Sequence, residues 1–456
     1  MHKADIAAWL EEHKIDEVEC SMPDLNGMMR GKIIPAKKFL QDYENGIRMP
    51  IEVIKETVSG DYIWDNEVIK DTDGDLQMVP DFASLRVVPW YKNPTAQVVC
   101  DTIYPNDGKH SDLAGQELPY APRSVLKKVM KLYADNGLRP VLAPELEFYL
   151  VQKNLDSDLP VQTPPSLTGR QDSSGQGYSI ERLNSFDHVI DQMYNYSEKM
   201  HIDVDTIALE SGPAQIEFNF NHGDPLSLAD QIFVFKRMAR QVGLAHDMFV
   251  TFMARPYEDQ TGSAMHLHQS LVDINTNENV FADSDGKNSR KLFYYIGGLR
   301  KYMLQCFPLF APNINSYRRI TPYSDAPINT HWGLDNRTVG LRVPSSEIAN
   351  RRVENRIIGS DCNPYLAFAG SLAAGFLGLQ ERISPGRPTD GDAYKLAFNL
   401  PYSLHDAINK MARSKKMKLI LGEEFITLFS SIKLHEYNAF HRVISSWERE
   451  HLLLSV

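Results

Sequence analysis

The sequence predicts an α+β protein, with a small, mostly β unit at the N-terminus followed by a larger body of helices and antiparallel strands. Two patterns carry that prediction. From Ile15 to about Asp107, short apolar runs are broken by turn signals at Asp24-Leu-Asn-Gly27, Asp73-Gly74 and Asn106-Asp-Gly108, with little helical periodicity after the first dozen residues. Beyond them, helical and strand-like stretches follow one another without strict βαβ alternation. With 456 residues and 43% hydrophobic content the chain can bury a large core.

Taken in order, the opening residues mix charges with apolar residues at helical spacing and carry no signal-peptide core. Asp71, Asp73 and Asp75 resemble the start of a calcium loop, but Leu76 occupies the glycine position and no twelfth-position acid follows, so they read as a turn. A polar stretch over residues 107–119 marks a boundary that places residues 1–113 in one domain and 114–456 in another. Pro122 opens a helix with Val125, Val129, Leu132 and Tyr133 on one side, ending at Asn136-Gly137. Further helices are expected over 184–200, 226–248, 291–306 and 364–382 and near the C-terminus. Residues 156–177, rich in Pro, Ser, Asp, Gly and Gln, read as a long surface loop.

Several classes are disfavoured. The longest apolar stretch, 365–379, falls short of the roughly 20 residues of a membrane span and reads as a buried helix. Lys and Arg total 48 against 59 Asp and Glu, and no basic run stands out, which argues against a nucleic-acid binder. Cys20, Cys100, Cys306 and Cys362 are widely spaced with no CxxC, as expected of reduced thiols in a cytoplasmic protein.

The informative feature is a set of short strands whose alternating positions hold acids, histidines or arginines. In Pro144-Glu-Leu-Glu-Phe148, a period of two puts Glu145 and Glu147 on one face. The segments 207–210 and 215–220, joined by a Ser-Gly-Pro turn, read as a hairpin with Glu210 and Glu217 flanking the turn. Residues 265–271 place His266, His268 and Ser270 together, and Arg352, Glu354 and Arg356 alternate with Val353 and Asn355. A solvated sheet face usually mixes in lysine, and these faces hold none. Adjacent glutamates repel unless cations sit between them. Five carboxylates and an imidazole form a hard ligand set suited to two Mg²⁺ or Mn²⁺ ions rather than zinc. With two such ions and Arg319, Arg337, Arg342, Arg352 and Arg356, the site carries a surplus of about four positive charges, matching a nucleoside triphosphate. Neither GxxxxGK[ST] nor GxGxxG is present, so arginines and metal would have to cradle the phosphates.

These segments resemble the glutamine synthetase family of glutamate–amine ligases over nearly the whole chain. Pro144-Glu-Leu-Glu-Phe148, Gly212-Pro-Ala-Gln-Ile-Glu217, Gly262-Ser-Ala-Met-His-Leu-His268, Asn315-Ser-Tyr-Arg-Arg319, Asn336-Arg337 with Arg342, and Arg352-Val-Glu-Asn-Arg356 followed by Asn363-Pro-Tyr365 fall in family order. The stretch from Asp24 to Pro35 is similar to the branch that ligates glutamate to polyamines, the γ-glutamylputrescine synthetases. The resemblance implies a β-grasp-like N-terminal domain and a catalytic domain with a curved antiparallel sheet flanked by helices. It also implies a homo-oligomer of six-membered rings, single or stacked in pairs, with sites between subunits. Glu147, Glu210 and Glu217 would then hold one metal, and Glu145, His266 and Glu354 the other. Gly262, Arg319 and Arg356 match glutamate-binding positions. Arg337, Arg342 and Arg352, with His268 and Ser270, match nucleotide and phosphate contacts.

The implied reaction joins L-glutamate to an amine at the expense of ATP, with Arg337 stabilising the transferring phosphoryl group. Asp325 stands where the family carries a flap glutamate and is the expected acceptor of the amine's proton. The family's ammonium-binding aspartate, in an Asp-Gly-Ser-Ser stretch, has no match; Asp61 is a candidate within residues 48–64. The missing cage points to an organic amine, a polyamine or a bulky monoamine. Tyr62 and Trp64 would cover its chain, unless both belong to the core of the β unit. Glutamine synthesis from ammonia and a catalytically silent ring protein are the alternatives. The family's regulatory tyrosine loop is shortened around Leu400-Pro-Tyr402, which argues against adenylylation control.

Overall fold

The computed structural model describes residues 2–64, 66–70, 72–106 and 112–456. Asp71 of the acid triplet, and residues 107–111 of the boundary stretch with the Asp107-Gly108 turn signal, lie outside the described residues. Two sheets organise the fold. The first contains β1 (Glu17–Pro23), β2 (Met29–Pro35), β3 (Ile47–Pro50), β4 (Asp75–Pro80), β5 (Arg86–Val88) and β6 (Thr95–Ile103), in the order β2-β1-β6-β4-β3 with β5 on β6. Its β1–β6 pair is parallel. The second contains β7 (Leu138–Gln152), β8 (Val204–Leu209), β9 (Gln215–Phe220), β10 (Met248–Thr251), β11 (Met265–Asp273), β12 (Trp332–Leu334), β13 (Leu341–Val343) and β14 (Val353–Asn355). Its order is β12-β13-β14-β11-β7-β9-β8, with β10 also on β7. At fifteen residues, β7 is long enough to pair with β11, β9 and β10 at successive points along its length.

Helices pack behind the second sheet. Pro364–Glu381 is apolar all round and buried from Pro364 through Gly378, as a helix enclosed by others must be. Pro122–Ala134, Pro225–Ala245 and Arg290–Tyr302 pack against it. Each of the three proline-led helices starts with Pro at its first position, where the missing N–H costs nothing. Two expectations need correction. The helix expected from residue 184 begins as a 3₁₀ turn, Asn184–Phe186, and is α-helical only over Asp187–Lys199. The helix expected to reach residue 248 stops at Ala245, because Asp247 adopts a left-handed φ of 61° and Met248 onward pairs with β7 as β10. Among the described residues, no helix is long and apolar enough to cross a membrane.

Among the contacts that fasten the first sheet to the helical body, two involve buried acids. At the tip of the β1–β2 hairpin, the buried Asp24 carboxylate accepts from the amides of Asn26 and Met28, each at 2.9 Å, and from Arg30 Nε at 2.8 Å. Asn363, the N-cap of Pro364–Glu381, donates through Nδ2 to the Asp24 carbonyl at 3.0 Å. Gly27 has φ +79°, and a Cβ there would lie 3.2 Å from the Asn363 Cα, so this close approach needs glycine. The Asp24–Pro35 stretch that resembles the polyamine branch is therefore a docking hairpin. The second fastening centres on Arg123, 2% exposed, whose guanidinium reaches Asp81 at 2.7 Å, Asp230 at 3.1 Å and Asp101 at 3.4 Å. Tyr365 donates its hydroxyl to the other Asp230 oxygen at 2.6 Å. Removing Arg123 would strand acids that burial has taken out of water. Arg123→Met is expected to lower the unfolding free energy in urea by about 3–5 kcal/mol, and a loss below about 1 kcal/mol would show the network to be dispensable.

Candidate active site

The charged faces expected from the sequence converge on one face of the second sheet, and strand register sets which groups meet. Glu145 on β7 pairs with His266 on β11, and Glu147 pairs with Glu217 on β9. His268 pairs with Glu354 on β14, which in turn pairs with Arg342 on β13. Glu210 follows β8 directly, at the Ser211–Ala214 turn that closes the hairpin onto Gln215.

The acids divide into two electrostatic halves. On one side each has cationic or imidazole neighbours. Glu354 accepts from Arg356 at 2.5 Å and Arg342 at 3.1 Å. Burial alone would raise it, but Arg356 and the two histidines bring it down to about 2. Glu145 lies 2.9 Å from His268 Nε2 and 3.3 Å from His266 Nδ1. Those contacts overcome burial and hold its carboxyl well below the usual carboxylate range. Arg352 Nε donates to His268 Nδ1 at 3.0 Å, which leaves the Nε2 proton facing Glu145.

On the other side the acids face one another. Burial, with the charges of Glu210 and Glu217, pushes Glu147 well above the usual range. Its carboxylate is held in place by the Ala264 amide at 2.7 Å and Gln215 Nε2 at 3.3 Å. Burial and the charges of Glu145 and Glu210 push Glu217 up to about 8. Glu210 is raised by burial and by Asp325 and Glu145. Among the described residues none of these three acids forms an ion pair with a lysine or arginine, although the charges of Arg319 and Arg356 act on Glu147 and Glu210. His266 supplies an orphan ligand atom: Nε2 is buried without a hydrogen-bond partner. Burial and Arg356 lower the His266 pKa, favouring the neutral imidazole that ligates metals.

Ligand atoms of Glu145, His266 and Glu354 lie within 4.8 Å of one another, and so do those of Glu147, Glu217 and His266. The chemistry of this set fits divalent cations. Glu210 stands outside both compact groups, although its charge acts on both Glu147 and Glu217.

The remaining expected residues are distributed around this centre. Gly262 abuts Arg319: a Cβ there would lie 2.5 Å from the Arg319 Cγ and 2.5 Å from the Ala254 carbonyl. Arg319, buried, donates to the carbonyls of Ile357 at 2.8 Å and Arg356 at 3.1 Å, fixing the chain that leaves β14. Each of those nitrogens keeps a second N–H. Arg356 Nε is buried without a partner. His268, Ser270 and Arg352 line a cavity of about 740 Å³ together with Glu145, Arg139 and Asn350. Arg342 and Arg337 do not line it. Arg342 is spent on Glu354 and on Asp335 at 2.6 Å, and Arg337 sits exposed on the turn between β12 and β13. Asp325 is exposed on a flap with left-handed φ of 58°.

Asp61 accepts from Ser59 at 2.9 Å, and the neighbouring Val58 amide donates to Glu436 at 2.8 Å, on the N-terminal unit rather than beside the acids. Tyr62 and Trp64 are 36% and 66% exposed, so they are not core residues of the β unit. Two tyrosines at the site had no signal in strand periodicity. Tyr178, at the end of the 156–177 loop, is 69% exposed, and its phenol feels Glu210, Arg337 and Glu217. The Tyr394 phenol feels the charges of Asp325, Arg356 and Arg319.

A mostly antiparallel sheet that groups acids able to hold divalent cations, with arginines beside them, is a frame suited to binding anionic, phosphate-bearing substrates. The chain belongs to the glutamine synthetase family: residues 119–452 match the glutamine synthetase catalytic domain. It is 32% identical to the γ-glutamylputrescine synthetase PuuA of Escherichia coli (strain K12), covering 98% of this chain and 94% of that one. It is 30% identical to a glutamate–isopropylamine ligase of a Pseudomonas species, covering 96% and 95%. The solved GmaS/ADP complex superposes with a TM-score of 0.84 at 26% identity, over 98% of this chain and 99% of that chain. Family members use ATP, divalent metals, glutamate and an amine or ammonia.

Because Glu217 keeps its proton up to about pH 8 in the folded protein but to only about 4.5 as an isolated group, cation binding at neutral pH must displace that proton. Because Glu147 of the same group is raised as well, titrating chelator-treated protein with Mg²⁺ should show affinity rising by at least about tenfold per pH unit from pH 6 to 8. A flat affinity from pH 6 to 8 would remove Glu217 from the ligand set.

Proposed function

We propose that this protein is an ATP-dependent ligase that joins the γ-carboxylate of L-glutamate to an organic amine through a γ-glutamyl phosphate. The observation that carries this reading is the register that sets Glu145 against His266 and Glu147 against Glu217, beside Arg342 of β13 and the Arg352 and Arg356 that flank β14. The full-length similarity to two amine ligases supports an organic acceptor, a polyamine or a bulky monoamine. Glu147, Glu210 and Glu217 would hold one divalent ion and Glu145, His266 and Glu354 another. Bound Mg²⁺ or Mn²⁺ would neutralise the carboxylates and the triphosphate. Within this chain, Arg356 and Arg319, with Gly262 giving Arg319 its room, hold glutamate. His268, Ser270 and Arg352, with Arg342, hold the nucleotide.

Glutamate's γ-carboxylate oxygen attacks the γ-phosphorus as the bond to ADP breaks, and Arg337 offsets the charge spread over the transferring phosphoryl group. The amine nitrogen then attacks the acyl carbon, phosphate leaves, and Asp325 takes the amine's proton. Residues 1–113 would form the β-grasp-like domain and 114–456 the catalytic domain of a cytoplasmic homo-oligomer, one six-membered ring or two stacked. The exposure of Tyr62 and Trp64 beside Asp61 on the N-terminal unit supports sites completed by a neighbouring subunit.

Two measurements test this reading. Arg356→Lys retains a charge but loses the planar fork, so the glutamate KM should rise by about tenfold or more while the ATP KM stays within about twofold. Equal rises would move Arg356 to the nucleotide. The second is an ATP-hydrolysis assay with glutamate fixed and ammonium, methylamine, putrescine, spermidine or benzylamine as acceptor. An organic amine should give the highest kcat/KM, and a lead for ammonium would make the enzyme a glutamine synthetase.

A further inference from the structure

We infer that the rings of Tyr394 and Tyr323 form the wall of the acceptor site that covers the alkyl portion of a primary amine. The inference rests on the ligase reading above and gives that site its selectivity. Tyr394 lies on the short turn Ala393–Lys395, which is clamped from two sides. Asn329, at the end of the flap that carries Asp325, donates through Nδ2 to the Ala393 carbonyl at 2.9 Å. The Ala393 amide donates to Thr338 Oγ1 at 2.9 Å, and Asn336 Nδ2 donates to the carbonyls of Thr389 at 3.0 Å and Gly391 at 2.9 Å. Asn336 and Thr338 flank Arg337. The turn therefore spans the gap between the residue assigned to the amine's proton and the residue assigned to the phosphoryl group.

The Tyr394 ring meets that of Tyr323 with centroids 4.9 Å apart at 41°. Tyr323 is 70% exposed, so the pair is not part of the hydrophobic core. Tyr323 and Asp325 both adopt left-handed φ, 59° and 58°, a conformation that a large side chain rarely takes and that local contacts must hold. Ser324, between them, is held by Thr321 Oγ1 at 2.8 Å, and its carbonyl accepts from Thr261 at 3.2 Å. The half-buried Tyr394 phenol is raised by burial first and by Asp325 next, while Arg356 and Arg319 act the other way, so it lies within electrostatic reach of the glutamate arginines and the flap acid. A phenol face attracts an ammonium and covers the methylenes beside it. Ammonia has no methylenes to cover, so two such rings favour an alkylamine over ammonia without excluding either.

The test compares wild type with Tyr394→Ala, Tyr394→Phe and Tyr323→Ala, with methylamine, isopropylamine, putrescine and ammonium as acceptors. Tyr394→Ala should raise the KM for isopropylamine and putrescine by about tenfold, the effect of one ring on a cation and its chain. The KM for ammonium, which loses only the ring's pull on the cation, should rise clearly less than those for the alkylamines, and the glutamate and ATP values should stay within about twofold. Tyr394→Phe keeps the ring and should restore the amine KM. Tyr323→Ala removes an exposed ring with no core role and should show the same split, even if Tyr394→Ala folds poorly. A rise that is equal for ammonium and alkylamines, or one seen in the glutamate KM, overturns the inference. If the wild-type enzyme turns over ammonium alone, the ligase reading fails and takes this inference with it; variants that respond evenly to all amines overturn only the inference.

Discussion

Five glutamates on one sheet face repel one another, and much of the architecture around them answers that constraint. Bringing carboxylates out of water onto neighbouring strands is unfavourable unless each finds a cation or keeps a proton. The sheet uses both solutions, in different places. Glu354 is gripped by Arg342 and Arg356, and Glu145 by two imidazoles, one of them oriented by Arg352. Glu147, Glu210 and Glu217 have no such grip, and burial with the charges of neighbouring acids raises all three toward keeping a proton. His266 stands between the halves, with its ligand atoms counted in both compact groups. A face so unevenly compensated is poised for external cations on the side that lacks internal ones.

That site needs a rigid frame, and the fold supplies it through the length of β7 and the enclosed helix behind it. The same helix ties the N-terminal sheet to the body. Its N-cap Asn363 binds the Asp24 carbonyl, and its Tyr365 binds Asp230 within the Arg123 network. Asn363 lies seven residues beyond Arg356, so the docking hairpin and the glutamate arginine share one short segment of chain. Burial pushes both Asp24 and Asp230 up to about 6 in spite of their arginines. Between about pH 4 and 6 the folded state therefore holds protons that the unfolded chain has lost. These two acids stabilise the fold most at the acid end of that window and contribute less as pH rises through it.

The opposite face of the site is made of loops. The flap at Asp325 and the turn at Tyr394 are held by hydrogen bonds to backbone and short side chains rather than by core packing. Backbone that carries reactive groups over a rigid sheet is usually built this way, since loops can adapt to substrates that the sheet cannot. Left-handed conformations at Tyr178, Tyr323, Asp325 and Asp335 cluster around this mouth. Strain of that kind persists only where surrounding contacts hold it.

The sequence by itself determined the local features. A period of two placed Glu145 with Glu147 and His266 with His268. The Ser-Gly-Pro turn joined Glu210 to Glu217, and proline at the first position marked where helices begin. These are short-range properties of backbone geometry, and the observed strands β7, β9, β11 and β14 follow them. Tertiary structure decided everything that depends on which strand lies beside which. Pairing with β7 took Met248, the last residue of an expected helix, into strand Met248–Thr251. Strand order set Arg342 beside Glu354, which Arg356 two residues along the same chain also reaches, and left Glu147 and Glu217 with each other. It also spent Arg342 on Glu354 and Asp335, outside the cavity that His268, Ser270 and Arg352 line. Tyr178 and Tyr394 come to the site from loops that carry no periodic pattern, while Trp64, apolar enough for a core, stands exposed. Charge compensation and burial are sums over neighbours distant in sequence, so residue spacing along the chain does not encode them.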